Sequence, residues 1–192
     1  MSRLLGNQPK VSAQERVRDY ARAQVRAGLL DRAAQQAEVE TAVAAELPGE
    51  DPASTARTLL AEAQAVLAAE QTGWQRPTDH DRLQAAFAAL TARGLVVLQA
   101  VDDHWVAAEE LRRLAAAGTP PEGVVWFTAP DVWHAVDHGM LELNVWHADT
   151  ANVAPGDRVL DVVVEALAEH GLEGHFDEGR VEVAASWRKV ST

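Results

Sequence analysis

Residues 78–99, TDHDRLQAAFAALTARGLVVLQ, spell a capped helix, a glycine stop and a buried strand in one unbroken run. Thr78 with Asp81 three positions on is a capping-box-like start, in which each side chain accepts the backbone N–H of the other residue. Leu83, Ala86, Phe87 and Leu90 recur at helical spacing, so one face of the run is apolar. Gly94 can take the left-handed turn that closes a helix, and Leu95 to Leu98 follow as a continuous apolar strand. A helix delivering the chain into a buried strand is a building unit of an α/β fold; it defines an architecture and no chemistry.

Downstream of this run the two periodicities keep alternating. The pattern predicts a helix over 79–93, a strand over 95–100, a helix over 104–117, a strand over 123–128, a short helix over 130–138 and a strand over 140–147. A longer helix over 156–170 should bury Leu160, Val163, Val164 and Leu167, and a hairpin follows with Glu178 and Gly179 at its turn. Val181, Val183, Ala185 and Trp187 alternate with Glu182, Ala184, Ser186 and Arg188, as in a strand with one wetter face. The fold class is therefore α/β, with a mixed sheet of about five strands, flanking helices and an antiparallel edge.

Upstream the character of the chain changes. All six Trp and all three Phe lie at or after Trp74, and Tyr20 is the single aromatic residue before it. The reading is a helical subdomain over 1–73 and an α/β domain over 74–192. In the first, helices are predicted near 12–27, 31–47 and 53–71, the third with Leu59, Leu60, Ala63, Val66 and Leu67 on one stripe. With mostly Ala, Leu and Val to bury, this part has a thin core and is expected to lean on the second part or on another subunit.

Trp74, Thr78 and Asp79, as Trp-x-x-x-Thr-Asp, followed by the Ala92-Arg93-Gly94 helix end, resemble the pattern of an uncharacterised bacterial family, a domain of unknown function of actinobacterial type. The resemblance extends over most of the chain and implies a helical N-terminal stretch ahead of the motif. Two departures stand out. Val101, Asp102, Asp103 and His104 replace a loop that carries glycine and tyrosine in the family, and Thr128 stands where the family has a His, although Asp131 keeps its place. An activity that used that His would lack it here.

Composition excludes several functions. At 192 residues with 47% hydrophobic content the chain can bury a real core. No run approaches the roughly 20 apolar residues of a membrane helix, and Met1 to Gln14 lacks the apolar core of a signal peptide, so a cytoplasmic protein without membrane partners is expected. Zero cysteines exclude disulfides, thiolate metal sites and cysteine nucleophiles together. A net charge of −12 and a pI near 4.9 argue against nucleic acid as a partner, because phosphate binding is dominated by clustered Lys and Arg. The acidity is uneven: residues 1–73 hold 8 basic and 10 acidic side chains, net −2, whereas 74–192 hold 9 and 19, net −10. P-loop, dinucleotide-binding glycine and serine-hydrolase elbow motifs are all missing, and Lys10 and Lys189, both near termini, are the only lysines. No cofactor is expected.

Four features carry what chemistry there is. His134 and His138 stand four apart on the short helix, which puts both imidazoles on one face as metal ligation requires. Ala135 replaces the Glu of a zinc-protease motif, and two surface histidines near a helix C-terminus are the ordinary alternative. If the first three strands are parallel, Asp103, Asp131 and His147 converge at their carboxyl ends, where open α/β sheets bind ligands. Against that, Asp before a helix is an ordinary N-cap. Asp157, Asp161, Glu165 and Glu169 form an acidic i, i+4 row, either a site for a cationic partner or a solvated face. Trp126, Trp133 and Trp146 cluster around the second and third strands, as core or as a pocket lining. The function expected from this balance is a non-catalytic protein-interaction or regulatory protein that binds a basic protein. The alternative is a metal-dependent or acid–base enzyme using the strand-end Asp and His residues. Oligomeric state does not follow from the sequence.

Overall fold

The computed structural model describes residues 11–190, and these residues fall into two compact units divided between Glu70 and Gln71. The first unit is helical. α1 (Ala13–Ala27) opens on a full capping box, Ser12 Oγ accepting the Glu15 N–H at 3.1 Å while Glu15 accepts the Ser12 N–H at 2.9 Å. It stops at Gly28 in the left-handed conformation, φ 59°. α2 (Arg32–Glu46) is capped by Asp31, whose side chain accepts the Ala34 N–H at 2.8 Å. α3 (Pro52–Gln71) starts on a proline, which has no N–H to leave unsatisfied. Along α3 the buried stripe is Ala56, Leu60, Ala63 and Leu67; Leu59 is half-buried and Val66 is 45% exposed. The buried stripe is thus narrower than the apolar stripe in the sequence, since Val66 projects past the edge of the arc that one contact face covers.

In the second unit α4 (Asp79–Ala92) has the expected box, Asp81 N–H to Thr78 Oγ1 at 3.1 Å and Thr78 N–H to Asp81 Oδ2 at 2.9 Å. Leu83, Ala86, Phe87 and Leu90 are its buried face. The chain turns at Gly94, φ 87°, into β1 (Leu95–Val101). Then come α5 (His104–Ala116), β2 (Gly123–Thr128), α6 (Ala129–His138), β3 (Met140–His147), α7 (Arg158–Glu169), β4 (Gly174–Asp177) and β5 (Arg180–Ala184). The five strands form one mixed sheet in the order β1-β2-β3-β5-β4. The closing hairpin turns at Glu178 and Gly179, φ 42° and 90°, the two positive values that a tight two-residue hairpin demands. Beyond β5 the alternation of burial runs on through Ala185 and Trp187, both buried. There the ladder has given way to single anchors, Ala185 N–H on Gly139 O at 2.9 Å and Ser186 N–H on Asp79 Oδ2 at 3.0 Å.

The sheet corrects one topological expectation. β1 and β2 are parallel, but β3 runs antiparallel to β2, with Gly123 opposite His147 and Trp126 opposite Asn144. A parallel return must carry the chain back along the whole strand, which typically takes a dozen residues or more. Residues 129–139 are spent on α6 and the left-handed Gly139, φ 71°, which drops the chain beside the end of β2 that it has just left.

Register assigns the side chains to two faces. Val125, Phe127, Val145, Leu143, Leu141, Val181 and Val183 share one, all fully buried, and Phe127 meets Phe87 of α4 at 5.8 Å between ring centroids. α7 covers the same face, its Val159 lying against Gly123; Val163 and Leu167 are buried and Val164 is only half-buried. The other face begins under α5, where Ala107 and Leu111 pack with Val124 and Trp126, and Val96, Leu98, Val101 and Trp146 border them. Val101 reaches that face because β1 bulges between Leu98 and Val101, with Ala100 at φ 51°. One extra residue reverses the alternation, and a non-glycine residue in the left-handed region is a local strain that the surrounding packing has to hold.

Candidate functional site

The end of the sheet where β1 and β2 finish brings two of the three candidate residues to neighbouring positions, since Val101 pairs with Thr128. Both carboxylates are occupied there by helix starts. Asp103 is the N-cap of α5, accepting the Trp105 N–H at 2.8 Å and the Val106 N–H at 3.4 Å. Asp131 Oδ2 accepts the Thr128 N–H and the Thr128 hydroxyl, each at 2.7 Å. These bonds satisfy donors that a helix N-terminus otherwise leaves open, which is the capping duty that an Asp in such a place commonly performs.

His147 lies at the other end. Because β3 is antiparallel and His147 pairs with Gly123 at the start of β2, the five residue steps from Gly123 to Thr128 separate it from the α6 cap. At about 3.3 Å per residue that is roughly 15 Å or more. The expected convergence of Asp103, Asp131 and His147 on one ligand therefore does not occur; a sequence of side-chain types does not carry strand direction.

His147 instead has a partner that sequence reasoning passed over. Its Nε2 lies 2.9 Å from Asp157 Oδ2, and Asp157 also accepts the Ala154 N–H at 2.7 Å. An ionised carboxylate only accepts, so Nε2 carries the hydrogen and Nδ1 of the neutral ring holds the lone pair. The Ala154 N–H first, and the His147 ring after it, hold the Asp157 carboxyl below its ordinary value. Both side chains are about one-third exposed. The sequence presents Asp157 only as the first member of the acidic row; the nine residues between it and His147 are a loop whose path no periodicity reveals.

The sign of the resulting pH dependence is fixed. A carboxyl whose folded pKa lies below its unfolded value of about 3.9 contributes stability that is present above that value and lost as pH falls through the folded one. Asp157→Asn is therefore expected to be less stable than the wild type at neutral pH and to lose less on acidification from about pH 5 to 3. Thermal melts across that range test it; parallel curves for the two proteins would show that the carboxylate does not act this way.

The rest of the acidic row divides in the same manner. Glu169 pairs with Arg93. Asp161 and Glu165 between them are exposed on α7 and belong to no ion pair among the described residues. A second acidic group lies on the sheet face that continues from α5. Glu142 of β3 stands directly opposite Glu182 of β5, with the Arg180 guanidinium on Glu142 at 2.5 Å and His175 opposite Glu182. Like charges facing across strands are destabilising, and Arg180 offsets one of the two.

The tryptophans separate by depth. Trp126 and Trp187 are buried at 6% exposure, whereas Trp105 is 63% and Trp133 37% exposed. Trp126 and Trp146 meet edge to face at 5.0 Å, and Trp126 Nε1 is buried without a hydrogen-bond partner among the described residues. His134 and His138 sit one turn apart at the end of α6, ring centroids 4.6 Å apart and planes at 52°. No third His, Asp or Glu joins them in a metal-holding group among the described residues.

No helix among the described residues is long and apolar enough to cross a membrane. No curated protein and no solved structure matches the chain. The family model described as domain of unknown function (DUF6891) matches residues 10–191, so the α/β unit and the three helices before it lie within one family unit, and the chain belongs to that family.

Proposed function

We propose that this is a non-catalytic cytoplasmic protein of bacterial type that recognises a basic protein through the acidic surface of its second unit. The observation that carries the reading is the pair Asp161 and Glu165. They stand exposed one turn apart on α7, outside every ion pair among the described residues. Like charges at this spacing cost roughly 0.2 to 0.5 kcal/mol, and a cationic partner would remove that cost. The helix-capping bonds of Asp103 and Asp131 support the same reading, because they account for both carboxylates without a catalytic role. Complementary charge of this kind acts mainly on association rate and partner choice. The charge balance of residues 74–192, 9 cations against 19 anions, is unfavourable to nucleic acid and to anionic membrane surfaces.

The test is binding of an octalysine peptide to the full chain as a function of salt. Association should weaken at least about tenfold between low and moderate ionic strength, and Asp161→Lys with Glu165→Lys should reduce it further at low salt. Glu109→Lys with Glu173→Lys makes the same change in net charge at two other exposed positions. If that control weakens binding as much as the α7 reversal, the row is a solvated face and the proposal fails there.

The His147–Asp157 pair at 2.9 Å favours a second reading, acid–base chemistry with Nδ1 as the base and Asp157 holding the ring. It replaces the three-strand cluster as the enzymatic alternative. In that case Asp157→Asn changes a reaction rate beyond its effect on stability; in the first reading it changes stability alone.

A further inference from the structure

We propose that His134 and His138 form a two-imidazole chelate for one divalent transition ion, zinc, nickel or copper, at the C-terminal turn of α6. One turn of helix brings their ring centroids to 4.6 Å with planes inclined at 52°. From that placement small side-chain rotations let one nitrogen of each ring reach a shared ion at about 2.0 to 2.1 Å. The backbone under them is set: α6 starts on the Thr128–Asp131 contacts, buries Val132 and Ala135, and ends with the Gly139 N–H on Ala135 O at 3.0 Å. His134 is half-buried and His138 exposed, so the shared face is open to an ion from solvent.

Neutral imidazole is a nitrogen donor, which suits zinc, nickel and copper and does not suit magnesium or calcium, whose sites are built of oxygen. Asp131 does not serve as a third ligand in this arrangement, because no group of three His, Asp or Glu placed to hold a metal occurs among the described residues. With two protein donors the ion keeps positions open for water or for a donor from another molecule, unlike the closed four-ligand sites that hold a fold together. Binding should accordingly be in the micromolar range and should leave the fold intact when the ion is removed.

The experiment is titration of nickel alone into the full chain, followed by calorimetry and by tryptophan fluorescence. Trp133, 37% exposed and adjacent to His134, supplies a reporter that bound nickel should quench. One saturable site per chain is expected, with affinity lowered at least tenfold in His134→Ala and, separately, in His138→Ala, and with no response to magnesium at the same concentrations. Far-UV circular dichroism confirms that each variant keeps its helix, and His138→Gln repeats the test with a polar side chain of similar size. Wild-type affinity in either alanine variant, or the absence of a saturable site in the wild type, would overturn the proposal.

Discussion

Gly123→Ala is expected to destabilise the second unit by about 3 kcal/mol or more, at the upper end of what overpacking costs in a close-packed interior. Gly123 is the first residue of β2, the strand between parallel β1 and antiparallel β3. A Cβ there would lie 2.5 Å from the backbone oxygen of Trp146 and 3.1 Å from Val159 Cγ1. The first contact decides the magnitude, because a carbonyl fixed in a neighbouring strand cannot rotate aside as a side-chain tip can. Either β3 moves off its register with β2, or α7 lifts from the sheet with Val159. Gly174→Ala is the informative comparison. Its Cβ would meet Leu167 Cδ1 at 2.9 Å and Val181 Cγ1 at 3.0 Å, both side-chain atoms and not backbone, with the Leu167 tip free to rotate aside, so its cost should be smaller. Denaturant unfolding of both variants measures the difference, read as a shift of midpoint at unchanged slope. An effect at Gly123 below about 1 kcal/mol would mean that β2 and β3 do not approach as closely as described.

Phe127→Ala should cost about 3 to 5 kcal/mol, the range for deleting a fully enclosed aromatic ring. Phe127 is fully buried. It joins three segments distant in sequence: its ring packs against Phe87 of α4 at 5.8 Å, tilted by 31°, and edge-on against Trp187 at 6.0 Å, inclined by 73°. Such ring pairs add about 0.5 to 1.5 kcal/mol beyond burial. The variant should therefore also lose near-ultraviolet dichroism from Trp187, whose ring is fixed by Phe127 and by His80 at 4.8 Å. Phe127→Leu should recover most of the stability but not the ring signal. If Phe127→Ala melts within about 1 kcal/mol of the wild type, the segment after β5 is not held by this core.

Both predictions rest on the sheet, and the sheet shows where local reading stops. The run 78–99 was legible because each of its signals acts over a few residues. A Thr–Asp box, a stripe at spacing three and four, a left-handed glycine and an apolar strand are decided by neighbours in the chain. The same holds for the Glu178–Gly179 hairpin, where two positive φ values follow from the shortness of the turn. The bland reading of Asp103 and Asp131 was equally available, since a carboxylate at a helix start has N–H groups within reach in almost any fold.

What needed coordinates depends on segments far apart in the chain. The direction of β3 follows from where α6 releases it, and with that direction His147 leaves the end of the sheet that holds Asp103 and Asp131. Gly123 looks like any strand-start glycine until the Trp146 carbonyl is placed against it. The Ala100 bulge hides in an apolar run whose composition is the same with or without it. Asp157 found His147 only through a loop of nine residues. The sequence by itself determined the elements, their caps and the excess of acidic charge, because those are properties of neighbouring residues. Only the tertiary structure decided strand direction, close approach and side-chain partnership, because each is settled by burial and hydrogen bonding between segments that the chain brings together from a distance.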